Sequence, residues 1–134
     1  MRRVSIFEIP GHPFFPEQRI PHYEEADVIV FMYAIDDPSS LQMLTEKWIL
    51  EAIDTIASHR IPVVCVGAKK DLQKDQQVIQ RLALENKSPV TLQQGSEMLD
   101  GVPVDVPIIE CSANDLEQVE FAFNIIFAIV LANE

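Results

Sequence analysis

The chain predicts an α/β fold with a mostly parallel sheet and flanking helices, and three observations carry that reading. Two runs, Val28 to Ile35 and Ile61 to Val66, are apolar almost throughout. Continuous runs of this kind mark parallel strands buried on both faces. Each run leads through a polar loop into residues with helical spacing, and strand–helix alternation is the signature of a parallel sheet. The loops themselves fall at the carboxyl ends of the strands, where open α/β sheets bind ligands. With 134 residues and 48% hydrophobic content, a single domain over 1–134 with a core of useful size is expected.

Taken in order, Val4 to Ile9 reads as a short strand. Pro10-Gly11-His12-Pro13-Phe14-Phe15-Pro16 is too rich in proline for a helix. Glu17 to Glu25 has room for a short irregular helix cut by Pro21. After the strand Val28 to Ile35, Asp37-Pro38-Ser39-Ser40 is a helix start, with an N-cap acid and proline at the first helical position. Leu41, Leu44, Trp48, Ala52 and Ile56 then fall on one face of a helix ending near His59. Beyond the strand at Ile61, a helix runs from Val78 towards Asn86 and stops at Pro89. Thr91 caps another that reaches Leu99. Pro103 to Pro107 links to a strand at Ile108 to Glu110. Leu116 to Ala132 is the last helix, apolar nearly all round and so expected to be buried.

Composition narrows the partners. A formal charge of −11 repels nucleic acid and anionic bilayers, so neither is the expected main partner. Cys65 and Cys111 lie in apolar runs and read as buried reduced thiols. Met1-Arg2-Arg3 leads into an alternating strand and not a signal-peptide core, and Phe121 to Ala132 is shorter than the ~20 residues of a spanning helix. The ending Leu131-Ala132-Asn133-Glu134 is no prenylation box. No membrane anchor is visible, and the expected location is the cytoplasm.

The chemistry concentrates in Gly67-Ala68-Lys69-Lys70-Asp71-Leu72, the loop after the Ile61 strand. A carboxylate such as Asp71 can accept two parallel N–H bonds from a purine edge, and the stem of Lys69 can lie flat on the base. This loop resembles the Asn/Thr-Lys-x-Asp guanine loop of small GTPases, with Ala68 in the first position. Glu110-Cys111-Ser112-Ala113 resembles their final base loop, and Phe7-Glu8-Ile9-Pro10-Gly11-His12 their magnesium and γ-phosphate loop, Trp-Asp-Thr-Ala-Gly-Gln. Pro38-Ser39-Ser40-Leu41 with Glu46-Lys47-Trp48, the extra helix before Pro89-Val90-Thr91, and Gln94-Gly95 resemble the Rho branch in particular. The resemblance spans essentially the whole chain.

A Rho-type small GTPase of the Ras superfamily implies GTP or GDP with Mg2+ as cofactors, and effector or regulator proteins as partners of a nucleotide switch. It implies nucleotide contacts at Gly11, Lys69, Asp71, Leu72, Ser112 and Ala113, with the Ala113 N–H on the guanine carbonyl. Glu8 takes the position of the metal-binding aspartate, and His12 that of the water-orienting glutamine. Departures from the pattern accompany these positions. Pro10 replaces alanine, Ala68 lacks the bracing side chain of Asn or Thr, and none of the four glycines belongs to a G-x-x-x-x-G-K-[ST] phosphate loop. The expected fold is therefore an incomplete Ras-like P-loop GTPase fold, without the first strand, phosphate loop, first helix and effector loop. The expected function is a Rho-like small GTPase domain of GTP-dependent signal transduction, truncated or degenerate and defective in GTP binding and hydrolysis. The alternatives are a nucleotide-free pseudo-GTPase serving as a protein-interaction module, and an incomplete gene product with no folded function.

Residue by residue, plainer roles stand beside these. The plainer reading is preferred for His12, an exposed loop histidine with no chemical duty, for Glu110, a support for its loop, and for Asp36 and Asp37, helix-start residues and not a metal pair. Tyr23 and Phe14-Phe15 suit either a partner-facing surface or core-edge packing. Two structural expectations follow from the missing elements. The Val4 and Val28 strands should pair directly or leave a gap one strand wide. Part of Phe121, Ile125 or Phe127 should face water.

Overall fold

The computed structural model describes residues 4–9 and 16–133. Three parallel strands, β1 (Ile29–Ala34), β2 (Val63–Ala68) and β3 (Ile108–Glu110), form one sheet in the order β1-β2-β3. The helices are α1 (Pro16–Glu24), α2 (Pro38–Met43), α3 (Ile49–His59), α4 (Gln76–Ala83), α5 (Leu92–Leu99) and α6 (Leu116–Ala132). The register sets Ile29 beside Val63 and Phe31 beside Cys65. Side chains alternate between the faces of a strand, so Ile29, Phe31, Tyr33, Val63 and Cys65 share one face. They build the main core there with Leu41, Leu44, Ile49, Ala52 and Ile56.

Three helix starts follow from their caps. Thr91 and Gln94 form a reciprocal capping box on α5, and Asp75 and Asp115 accept backbone N–H bonds at the starts of α4 and α6. Arg60 ends α3 in the left-handed conformation. Asp37 differs: it precedes α2 without a side-chain cap bond, accepting instead from Ser39 Oγ at 2.5 Å.

Four expectations are corrected. Residues 4–9 form no strand. Val4, Ile6 and Phe7 are exposed, and only Ile9 touches the core. An extended segment needs a ladder partner to become a strand, and this one makes no ladder with β1. The second correction concerns Trp48. Between α2 and α3 the helix widens into a π turn over Leu44–Trp48. The extra residue advances the register, so Ile49 fills the buried slot while Trp48 stays half-buried at the rim. Third, α6 is not buried. Ala122 alone among its residues is fully buried, and Phe121, Phe123, Phe127 and Leu131 are exposed, because a three-stranded sheet is too narrow a floor for a helix apolar on every side. Water-facing Phe121 and Phe127 are what the resemblance implied; Ile125 is half-buried.

The fourth correction is α1, which runs through Pro21 without a break. Proline removes one intrahelical hydrogen bond, and the helix is held from outside. Arg19, only 3% exposed, forks onto Glu51 of α3: Nε donates to Oε2 at 2.8 Å and an Nη to Oε1. Tyr23 Oη donates to the same Oε2 at 2.7 Å, and the Arg19 guanidinium lies 4.8 Å from the Trp48 ring centroid. Tyr23 is thus buried at the core edge, not presented to a partner. Phe14 and Phe15 lie outside the described residues.

Tyr33 meets a different constraint. Its ring lies against Gly67 of β2 and Gly95 of α5, so closely that a Cβ on Gly67 would come within 2.5 Å of the phenol oxygen. The hydroxyl is buried and finds no hydrogen-bond partner among the described residues. Burial, with Cys65 and Glu110 nearby, pushes the phenol well above its usual range.

Two outcomes follow. Tyr33→Phe removes an unsatisfied buried hydroxyl and should leave stability unchanged or raise it by about 1 kcal/mol in urea unfolding. Glu51→Gln removes the carboxylate that accepts from both Arg19 and Tyr23 and should cost roughly 2 kcal/mol. The hydrogen bond from Arg19 holds the Glu51 carboxyl below its usual range, with further lowering from Tyr23. That contribution is complete above the unfolded value of about 4.3 and disappears as pH falls through the lower folded value. Unfolding curves below about pH 5 should therefore lose part of their acid slope in Glu51→Gln.

Candidate functional site

The site forms where β2 and β3 end together. Cys111 N–H donates to Gly67 C=O at 2.8 Å, and Lys70 N–H donates to Cys111 C=O at 3.2 Å. These bonds prolong the ladder into the two loops. After β2 the chain turns sharply: Lys69 takes the left-handed conformation (φ 63°), and Lys70–Leu72 make a short 3-10 turn. A left-handed non-glycine residue costs of order 1 kcal/mol, so the surrounding bonds hold this turn in place.

Side chains complete the junction. Ser112 Oγ donates to Asp71 Oδ1 at 2.8 Å, across 41 residues of sequence. The same Oγ accepts from Asn114 N–H at 3.3 Å. Gln118, one turn into α6, accepts from Ser112 N–H at 2.8 Å and donates to Asp115 Oδ2 at 3.1 Å. Glu110 lies 3.8 Å from Lys70 Nζ and accepts from Gln73 Nε2 at 3.4 Å, while Gln73 also donates to Val90 C=O. Glu110 thus supports its loop. Lys70, Asp71, Ser112, Asn114 and Gln118 line an open cavity of about 440 Å³.

Of the residues singled out in the sequence, Lys69, Asp71, Leu72, Ser112 and Ala113 lie on these two loops. Asp71, Lys69 and Ala113 are exposed, Leu72 is half-buried and Ser112 is buried. Glu8 is exposed in the irregular segment 4–9, and Gly11 and His12 lie outside the described residues. Among the described residues no group of three or more His, Cys, Asp or Glu is arranged to hold a metal ion.

Sequence reasoning missed three participants. Gln118 was findable, since Asp115-x-x-Gln118 is a capping-box spacing. Gln73 gave no signal, its partners being a distant carbonyl and Glu110. Asp36, read as a helix-start residue, turns instead to Lys69 Nζ at 3.8 Å and Arg81 at 3.7 Å. Both cysteines are free. Burial pushes the Cys65 thiol to about 12, whereas Cys111 is half-buried.

Comparison with known proteins shows the family. The Ras family model matches residues 3–132. The chain is 35% identical over 114 residues to GTP-binding protein RHO1 of Eremothecium gossypii, covering 84% of this chain and 54% of that protein. Identity to GTP-binding protein RHO1 of Saccharomyces cerevisiae is 33%, covering 84% and 53%. Identity to GTP-binding protein rho4 of Schizosaccharomyces pombe is 31% over 122 residues, covering 91% and 58%. The chain therefore belongs to the Ras family and carries a Rho-type small GTPase domain sequence. It spans about half the length of the curated relatives it matches. Among the described residues no helix is long and apolar enough to cross a membrane.

The Ser112–Asp71 bond should be measurable as a coupling. In a double-mutant cycle with Ser112→Ala and Asp71→Ala, unfolding free energies should couple by about 1 kcal/mol. Additive single effects would show that the two loops are not joined through this bond.

Proposed function

We propose that this chain carries the guanine-reading side of a Rho-type small GTPase. As a 134-residue polypeptide it then holds nucleotide through the base alone and hydrolyses no GTP. The observation that carries this reading is the Ser112 hydroxyl on Asp71 Oδ1 at 2.8 Å, which fixes the orientation of the carboxylate that would take the guanine edge. Lys69, in the same turn, is exposed beside it. These residues fit the base of GTP or GDP. Nothing comparable among the described residues supports the phosphates: the sequence contains no phosphate-loop motif, and Glu8 is exposed with no metal-holding group among the described residues. The whole protein's switch activity, its effector and regulator partners and a cytoplasmic location belong to the same proposal.

Magnitudes set the expected affinity. A charge-assisted hydrogen bond contributes ~1.5–3 kcal/mol, and stacking on the base ~1–3 kcal/mol. After the cost of ordering the ligand, about 4 kcal/mol remains, which corresponds to millimolar binding.

A second reading, a nucleotide-free interaction module, is favoured by one observation. Lys69 Nζ lies 3.8 Å from Asp36, and Ala68 offers no polar side chain to free it or to brace the turn.

Calorimetry with GDP separates the readings. The expected dissociation constant is about millimolar or weaker, unchanged by magnesium and weakened further by Asp71→Ala. No binding by a correctly folded chain supports the interaction module. Micromolar, magnesium-dependent binding abolished by Asp71→Ala would overturn the base-only reading.

A further inference from the structure

Asp36 lies where three segments of the chain cross. Ile35 N–H donates to Ala68 C=O at 2.9 Å, and Ile35 C=O accepts from Val90 N–H at 3.0 Å. Asp36 is thereby fixed between the end of β2, one residue ahead of Lys69, and the segment returning from α4. Its carboxylate faces one cation from each side. Lys69 Nζ stands 3.8 Å from Oδ1, and an Arg81 Nη 3.7 Å from Oδ2. Arg81 also donates to Asp36 C=O at 3.2 Å. The Asp36 side chain is 17% exposed, whereas both cations are more than half exposed. Oδ1 itself is sealed from water and accepts no hydrogen bond among the described residues. A buried acceptor left open is unfavourable, so Oδ1 draws the Lys69 ammonium towards it.

α4 has little else to hold it. Of its eight residues only Val78 and Leu82 are buried, and Leu84 just beyond is 88% exposed. A helix of two turns is marginal without outside contacts. Asp75 caps its start, and Arg81 in its last turn ties its end to the β1 loop.

We propose that Asp36 couples the Lys69 turn to α4: one carboxylate serves two cations, and each is held more tightly when the other leaves. The charges of Lys69 and Arg81 repel each other across it. Laying the Lys69 stem on a base withdraws the ammonium and gives Asp36 wholly to Arg81, which steadies α4. Conversely, an anionic group of a partner that takes Arg81 leaves Asp36 to Lys69 and disfavours the base, since linkage between two sites is reciprocal. The coupling is a property of the chain alone; its consequence for the base rests on the base-only reading above.

Hydrogen exchange of the α4 amides in the nucleotide-free chain tests this. Lys69→Met keeps the stem and removes the charge, and it should slow that exchange about twofold, in proportion to an exposed ion pair. Asp36→Asn keeps the shape and removes the charge that both cations share. It should speed the exchange about two- to fivefold, and in that background Lys69→Met should change nothing. Guanosine, an uncharged probe, reads the other direction: the initial slope of an NMR titration should rise in Asp36→Asn and fall in Arg81→Gln, each by about two- to fivefold. Unchanged exchange in a folded Lys69→Met chain would overturn the coupling, and so would slowing that persists in the Asp36→Asn background. A lower guanosine slope in Asp36→Asn would overturn it as well, because Asp36 would then be presenting Lys69 to the base. Guanosine bound by no variant would overturn the base-only reading alone, with the exchange rates still deciding the coupling.

Discussion

β2 is hydrogen-bonded along both edges, and that double pairing is the constraint from which the core and the site both follow. On one side it aligns all six residues of β1, and on the other it aligns β3 through Cys65, Val66 and Gly67. Ladder bonds are directional, so fixing β2 fixes where each neighbouring chain leaves the sheet. Ile35 N–H on Ala68 C=O and Cys111 N–H on Gly67 C=O carry that alignment past the ends of the strands. The loops that follow β1, β2 and β3 consequently meet along one rim.

Core and site make opposite demands on this strand. The core needs Val63, Val64, Cys65 and Val66 sealed from water, and all four are buried. The site needs the chain to turn out abruptly one residue beyond Ala68, which it does at the left-handed Lys69. Gly67 sits between the two demands. It lets the Tyr33 ring approach from the core side while its carbonyl receives Cys111. The loop after β3 is ordered differently, through Asp115 and Gln118 at the start of α6. Two independent supports thus converge on Asp71 and Ser112.

Much of this was legible because it is local. The Thr91 cap of α5 and the uniform apolar run of β2 each declare themselves within a few residues. The positions of Lys69, Asp71 and Ser112 were readable for a related reason, since strand ends determine where such loops fall. What escaped depends on distance or on what is not nearby. Arg19 and Glu51 are separated by 32 residues, and no periodicity connects them. Val4 to Ile9 has the alternation of a strand, yet alternation supplies no partner to pair with. The exposure of α6 has the same origin: its composition implies burial, while the area available to bury it is a property of the sheet.

The π turn at Leu44–Trp48 has a meaning beyond the residue it displaces. Upstream of it, the helix is indexed to the β1 loop through Ser40, which accepts from Ala34 N–H. Downstream, it is indexed to α1 through Glu51. A single residue of slack lies between two fixed points, so the two halves need not share one phase. The Glu51 half can therefore face α1 while Leu41 and Leu44 stay in the core. The helix is a vernier with two scales offset by one division, and the buried arginine records the setting at which they were locked.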